Sequence, residues 1–514
     1  MRVRNWQLMI TIFGVILLSV APALRAQTAQ ISFTTTTPLT VPTRSNYAGI
    51  NMQLFNSGVS YQDANMQSLA RSMNLGWTRF PAGTEDDVYN WNTGGTPDSW
   101  IAKFSAYNAY SDMLADAPII RGKASAGTGT NGVQLKDFTN FITTQGTGTS
   151  PTHVIGVINT FTDSTTSAAN LVSAAVAAGI VVDVWELGNE PVYFSGFYPN
   201  ATTYLNAVKP YEQAIKNVVP SAKVAVWVDP SSDKWTKDVA TYANTTGQFW
   251  DQIYTHSYPD ASQYESNQTD QISWYNGFLL YNSNNLVDTV FEPLFTNTQQ
   301  FEWSEYNTGN MKSGLYNADF IAEFAMRLSA DANVTHAGMH MLVGPTTQLQ
   351  LAVGTTNDHS SDCVTAYNNG TTINTSSLNF GYFLEPSGLA MEIINGPINT
   401  STGLWPTTVA NSNTVSYISG STTGTMPAIY AQAYKYSGTT HHVLLTNKAG
   451  ASQQVEILQD GVQVISTFTT RSIGGTSPTK TNTSSSPNNV TLTTGTYTGG
   501  TVTVPAYGVM DVSW

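Results

Sequence analysis

Val181-Val-Asp-Val-Trp-Glu-Leu-Gly-Asn-Glu-Pro191 is the stretch on which the fold turns. Val181, Val182, Val184, Trp185 and Leu187 make it a strongly apolar strand. It stops at Gly188 and presents an amide and a carboxylic acid, Asn189 and Glu190. Polar groups at the carboxyl end of an apolar strand are what a parallel βα barrel gathers at its mouth.

Working outward, short β-like runs alternate with helix-like stretches between about residues 47 and 345. Strands are predicted at 47–54, 76–80, 153–158, 181–188, 223–228, 249–255, 299–304 and 337–343, with helices such as Ala64–Ser72, Ala168–Ala178, Tyr204–Val218 and Ala318–Ala330 between them. Eight βα units in this length predict a (β/α)8 TIM barrel, here assigned to 44–390, with Trp91–Pro151 as its longest excursion. Beyond 390 the runs are short, alternating and separated by Gly, Ser, Thr and Pro. That pattern predicts an antiparallel β-sandwich over 391–514, joined by an N-terminal strand from 29–43. Thr476–Gly500 reads either as a long surface loop or as a strand pair with decorated turns.

The chain begins with Arg2 and Arg4, an apolar run from Met9 to Val20, and Ala-Pro-Ala-Leu-Arg-Ala. This is the form of a secretory signal peptide, assigned to 1–26, and it predicts an extracellular or periplasmic protein. The apolar run is shorter than the ~20 residues of a spanning helix, so no membrane association is expected after cleavage. Loss of three leader arginines takes the formal charge from −13 to −16. Such a surface repels nucleic acid and anionic lipid. Cys363 is the only cysteine, which excludes an intrachain disulfide.

The chemistry follows from the strand ends. The fourth strand closes with Asn189 and Glu190. The seventh, Phe301-Glu302-Trp303-Ser304-Glu305-Tyr306-Asn307, closes with Glu305. Strands four and seven face each other across a barrel mouth, and two opposed carboxyl groups are what glycosidic cleavage needs. A gap of ~5–5.5 Å would mean a covalent intermediate and retention, and a wider one inversion. Glu302 and Asp229 compete with Glu305 for the nucleophile's place. Glu302, three residues earlier, is expected on the opposite face of the strand, in a structural ion pair. Glu186, deeper along strand four, is expected to bond a neighbouring strand or an arginine. Tyr89, Trp91, Tyr193, Phe194 and Trp274 stand near strand ends and are candidates for stacking on sugar rings.

Trp-Glu-Leu-Gly-Asn-Glu-Pro at 185–191 resembles the acid/base motif of the clan A retaining glycoside hydrolases. The resemblance implies Glu190 as acid/base, Asn189 as ligand of the sugar 2-hydroxyl, and Glu305 as nucleophile. Arg79-Phe80-Pro81-Ala82-Gly83 resembles the Arg-Phe-Pro-Gly-Gly turn of families 79 and 51, with Ala82 where Gly is usual, and implies that Arg79 holds the nucleophile ionised. His256-Ser257-Tyr258 is similar to the clan's His-x-Tyr. It implies that Tyr258 donates to the nucleophile and that His256 lines the sugar subsite. The overall pattern is most like family 79, the β-glucuronidase and heparanase-like group, while Trp-Ser-Glu-Tyr-Asn is closer to families 39 and 51.

The expectation is therefore a secreted retaining glycoside hydrolase acting on a poly- or oligosaccharide, β-glucuronidase-like, with β-xylosidase or α-L-arabinofuranosidase as the alternative. A non-catalytic carbohydrate-binding protein is the reading from another class. A uronide substrate calls for a cation or several donors, and the loop Gly344–Gln348 is a place for them. No cofactor or metal is expected. There is no HExxH, calcium loop or phosphate loop, and His336 and His340 flank a predicted strand rather than sharing a helical face.

Overall fold

The computed structural model describes residues 28–41, 44–52, 59–81, 83–95, 97–106, 134–145, 153–230, 233–281, 291–295, 299–311, 313–343, 351–355, 381–436 and 440–514. The leader, Ala82, the loop Gly344–Gln348, Cys363 and the centre of the Trp91–Pro151 excursion lie outside them.

The first described strand, β1 (Ala29–Phe33), belongs to the C-terminal domain. The next eight, β2 (Ala48–Asn51), β3 (Trp77–Phe80), β4 (His153–Ile158), β5 (Val182–Leu187), β6 (Val224–Trp227), β7 (Gln252–Ser257), β8 (Gln300–Tyr306) and β9 (Val334–Met339), form a closed parallel barrel. Closure is made by Ile50, which pairs with Thr78 on one side and Met339 on the other. Buried on both faces, these strands are rich in Val, Ile and aromatic residues. Trp77 lies inside the barrel against Gly49 and Gly338, where a Cβ at either glycine would collide with its indole.

Two strands sit differently from their predicted positions. β7 begins at Gln252, because Phe249 and Trp250 pack against Tyr242 as part of the preceding connection. β9 begins at Val334, three residues before the predicted start, because β8 sets its register through Phe301 opposite Val334. The apolar residues Met341, Leu342 and Val343 after Met339 account for the later start that the sequence predicts.

The helix Pro386–Thr400 packs against helix Leu315–Ser329 and contributes buried Leu389, Ile393, Ile394 and Ile398 to the barrel-side core. The expected boundary at 390 therefore falls inside a helix that closes the barrel's outer layer. Among the other described strands, Val353–Thr355 pairs with Tyr382–Leu384 and Thr414–Ser419 with Thr422–Pro427 as separate two-stranded ribbons, and the rest form two facing sheets. One orders Thr407–Ala410, β1, Gln453–Gln459 and Val462–Gln463, with Thr501–Val504 also paired to Gln453–Gln459; β1 is parallel to Gln453–Gln459 and antiparallel to Thr407–Ala410. The other runs from Gly403–Trp405 through Ile429–Lys435, His442–Asn447, Gly508–Ser513 and Phe468–Ile473 to Thr493–Tyr497. Ile31, Phe33, Trp405, Val443, Leu445, Val455, Ile457 and Val512 fill the space between. Thr476–Gly500 is a loop followed by one strand rather than a strand pair, because that strand pairs outside the segment with Phe468–Ile473. Its first part is loop, in which the carbonyls of Pro478 and Lys480 accept from Tyr316 and Leu315 at the start of helix Leu315–Ser329. Its end is the strand Thr493–Tyr497.

Helix Leu315–Ser329 is buried on all sides between the domains. Its Glu323 carboxylate accepts from buried Lys448 at 2.5 Å and from Arg327 at 2.7 Å. Burial alone would raise the Glu323 pKa, but these two cations outweigh it and hold the group ionised. Removing both would strand the Glu323 charge in the interdomain core.

Candidate active site

The carboxyl ends of the strands converge on one cluster. Arg79, fully buried on β3, spreads its guanidinium over three partners. Nε donates to Glu186 Oε2 at 2.8 Å, one terminal nitrogen to Glu305 Oε1, and the other to Asn189 Oδ1 at 2.9 Å. Burial opposes its charge, but the Glu186 and Glu305 carboxylates more than compensate and raise its pKa further. Glu186, expected to meet a strand or an arginine, meets this arginine.

Glu305 has a donor on each oxygen. Besides Arg79, Asn51 Nδ2 donates to Oε1 at 2.5 Å, and the Tyr258 hydroxyl donates to Oε2 at 2.5 Å. Burial pushes the Glu305 pKa up, yet His256, His340 and Arg79 together bring it below the ordinary carboxylate value. Arg79 is charged throughout, whereas burial holds the His256 imidazole down at about 3 and therefore neutral.

Glu190 is the opposite case. It follows Gly188 at φ 82° and itself takes φ 44°, a left-handed conformation in which Pro191 starts a single 3-10 turn. Oε1 lies 2.8 Å from His256 Nδ1. Burial raises its pKa to about 7, against the pull of Arg79 and His340. Two carboxyl groups in one pocket are thus driven apart, one towards the acid and one towards the anion.

All six residues expected at the site, Glu190, Glu305, Asn189, Arg79, His256 and Tyr258, are brought together. His256 does more than line the pocket, because Nδ1 faces Glu190 while Nε2 lies 3.1 Å from Ser304 Oγ. Two neighbours were missed. Asn51 ends β2, and His340 follows β9, its Nδ1 3.0 Å from Asn51 Nδ2 and 3.5 Å from Glu305 Oε2. Both obey the strand-end rule that found Glu190, applied to strands one and eight.

The expected facing of Glu302 is overturned. Across β7 and β8, Thr255 pairs with Trp303 but His256 pairs with Glu305, so Ser304 is a bulge residue. The extra residue resets the alternation. Trp303 packs outward on Phe291 and Phe324, whereas Glu302, Ser304 and Glu305 all turn inward. Glu302 meets Glu186 in the barrel interior instead of forming an ion pair on the far face.

Above the glutamates opens a cavity of about 510 Å³ lined by Glu190, Tyr193, Trp227, Asp229, His256 and Tyr258, among others. No Lys or Arg is among its described lining residues, while Asp229 and Asp260 both are. Of the aromatic candidates, Tyr193 is exposed at this mouth. Tyr89 and Phe194 are buried, and Trp91 and Trp274 pack against the core. Among the described residues, Glu190, His256 and Glu305 are the one group whose ligand atoms lie mutually within 4.8 Å. A metal there would have to displace Arg79, Asn51 and Tyr258 from the two oxygens of Glu305.

In sequence the chain matches no protein-family model, and no curated protein is detectably similar. In structure it is similar to the GH51 arabinofuranosidase from Xanthomonas axonopodis pv. citri, with a TM-score of 0.66 and 16% identity over 95% of this chain and 99% of that one. The α-L-arabinofuranosidase of Thermotoga maritima gives a TM-score of 0.65 at 16% identity, covering 95% and 100% of the two chains. A family 44 xyloglucanase from Paenibacillus polymyxa gives 0.55 at 11% identity over 95% and 99%. The shared feature is the fold, a (β/α)8 barrel carrying a C-terminal β-domain.

Proposed function

We propose that this protein is a secreted retaining glycoside hydrolase that acts on a neutral sugar, with α-L-arabinofuranoside as the first substrate to test. One observation carries the reading. Carboxylate oxygens of Glu190 and Glu305 lie within 4.8 Å of each other while their pKa values are displaced in opposite directions. So short a gap supports a covalent intermediate and retention.

In the first step Glu305, held ionised by Arg79, Asn51 and Tyr258, attacks the anomeric carbon. Glu190 passes its proton to the departing glycosidic oxygen. In the second step Glu190, now a carboxylate, takes a proton from water as that water attacks the anomeric carbon and releases Glu305. Once Glu305 is esterified its charge no longer opposes ionisation of Glu190, which suits the change from acid to base. Asn189, whose Oδ1 accepts from Arg79, would bond the sugar's 2-hydroxyl, the role that the clan A resemblance implies.

The choice of a neutral sugar rests on the cavity. A uronate there would meet Asp229 and Asp260 and, among the described residues, no lysine or arginine. The structural neighbours named family 51 favour the arabinofuranoside reading, and none of those described above favours family 79. The leader supports secretion. The test is a panel of nitrophenyl glycosides (α-L-arabinofuranoside, β-xyloside, β-glucoside, β-glucuronide) with Glu305→Ala as the chemical blank, and NMR of the first-formed anomer. Arabinofuranoside turnover with retention is expected. Turnover of β-glucuronide instead would overturn the neutral-sugar reading, and inactivity on every glycoside and on arabinan and xylan would leave a carbohydrate-binding protein.

A further inference from the structure

Glu190 leaves β5 through a turn that the strand ladder alone does not hold. Gly188 at φ 82° and Glu190 at φ 44° both lie in the left-handed region. For a residue with a Cβ that conformation is unfavourable, and it persists where the surroundings fix it. β5 pairs with β6 at Trp185 and Glu186, and the register ends there. On the β4 side the ladder reaches Gly188, whose N–H donates to Ile158 O at 2.9 Å.

Beyond those points three fully buried side chains from other elements take over. Tyr204, on helix Ala201–Val218, sets its hydroxyl between β5 and β6. It donates to Leu187 O at 2.7 Å and accepts from Trp227 N at 3.3 Å, so one oxygen bridges the two strands just past their last direct pair. Tyr254, on β7, donates to Gly188 O at 2.6 Å. Asp87, in the 3-10 turn Thr84–Val88 that follows β3, accepts from Asn189 N at 3.2 Å.

These bonds fall on two successive peptide planes. The 187–188 plane is tied at its oxygen to Tyr204 and at its nitrogen to Ile158. The 188–189 plane is tied at its oxygen to Tyr254 and at its nitrogen to Asp87. Because each peptide is planar, holding both planes leaves Gly188 no torsional freedom, and the chain must enter Asn189 and Glu190 in one direction. That direction carries the Glu190 carboxyl to 2.8 Å from His256 Nδ1. Tyr204 also places Trp227, which lines the catalytic cavity with its ring 4.8 Å from that of His256. Proton donation in a bond-breaking step depends steeply on such placement.

Building on the glycosidase reading, we infer that Asp87, Tyr204 and Tyr254 are positioning residues for Glu190, fixing the turn at its base and so aiming its proton at the glycosidic oxygen.

The direct test needs no substrate. Crystal structures of Tyr254→Phe and Asp87→Ala should show the 188–190 turn relaxed and Glu190 out of hydrogen-bond reach of His256 Nδ1. Asp87→Asn, whose amide oxygen can still accept from Asn189, should keep the turn. A turn unmoved in both Tyr254→Phe and Asp87→Ala would overturn the proposal, even in a protein that proves inactive. In the active enzyme, kcat/KM of Tyr254→Phe, Tyr204→Phe and Asp87→Ala should fall about tenfold on an unsubstituted phenyl glycoside. On the dinitrophenyl glycoside, whose leaving group departs without a proton, the loss should stay under about threefold. Asp87→Asn should recover most of the phenyl-glycoside activity. Equal losses on both substrates would mean general damage to the site and would count against the proposal. Absence of activity in the wild type would count against the glycosidase reading alone.

Discussion

The two ends of the barrel carry clusters of the same residue types and put them to different ends. At the carboxyl-terminal mouth, His256 stands among Glu190 and Glu305. At the amino-terminal end, Asp183 takes His153 Nδ1 at 2.7 Å and His336 Nε2 at 3.3 Å, beside a cavity of about 570 Å³, larger than the one at the mouth. Size and composition do not separate them. What does is how the charges are resolved. At the lower end each group answers a neighbour, and despite partial burial the hydrogen bonds from His153 and His336 hold Asp183 well below its usual range. At the mouth one carboxyl is held as the anion while the other is pushed to about 7, a difference that chemistry can use.

The comparison is broken most directly at the nucleophile. Glu305→Ala should lower kcat/KM on the order of 10⁴-fold or more, because no other group replaces the covalent step. A loss under tenfold would move the nucleophile elsewhere, with Asp229 the next carboxyl to examine. Glu190→Ala should cost ~10²–10⁴-fold, and least with nitrophenyl leaving groups that depart without a proton. Its pH profile is the sharper readout. Glu190 must be protonated to act, so wild-type kcat/KM falls as pH rises through about 7. It falls on the acid side only when Glu305 takes up a proton, below the ordinary carboxylate value. Glu190→Ala should lose the basic limb and keep the acid one.

Much of this was readable in the sequence because strand ends announce themselves. Gly188-Asn-Glu-Pro191 closes so apolar a run that Glu190 had little else to do, and Glu305 followed from symmetry across the mouth. Asn51 escaped notice because one asparagine after a short strand carries no signal until β8 brings Glu305 beside it, 254 residues away. His340 stands four residues from His336 around a predicted strand, and that spacing signals neither a metal pair nor a place at the mouth. The two lie at opposite ends of β9, one bonding Asp183 and the other facing Glu305. Glu302 was misplaced for a different reason. Alternation was the right rule, but a bulge at Ser304 is a property of pairing between strands and leaves no trace in one strand's pattern. The N-terminal strand could be read as β-prone, whereas its parallel seat beside Gln453–Gln459 depends on contacts across the whole chain.

The smallest effect tests the lower end. Asp183→Asn keeps the shape of the side chain and removes the charge that accepts from His153 and His336. Because Asp183 is held below its unfolded value, its contribution to stability is present above about pH 4 and fades as the pH falls further. The variant should therefore unfold more easily at neutral pH by roughly 1–2 kcal/mol, measured by urea titration, with the gap to wild type closing in acid. Its kcat/KM should stay within about twofold of wild type, since the cluster sits at the strand starts and touches none of the groups that meet the sugar. The one path by which it could matter runs through Glu302, which His336 Nδ1 approaches at 3.8 Å. An altered pH profile in Asp183→Asn would mean that the two ends are coupled along β9 and through the barrel interior, and that the lower cluster tunes the catalytic one. An unaltered profile with reduced stability would leave the lower end as a fastening for the amino-terminal ends of β4, β5 and β9, with the chemistry confined to the mouth.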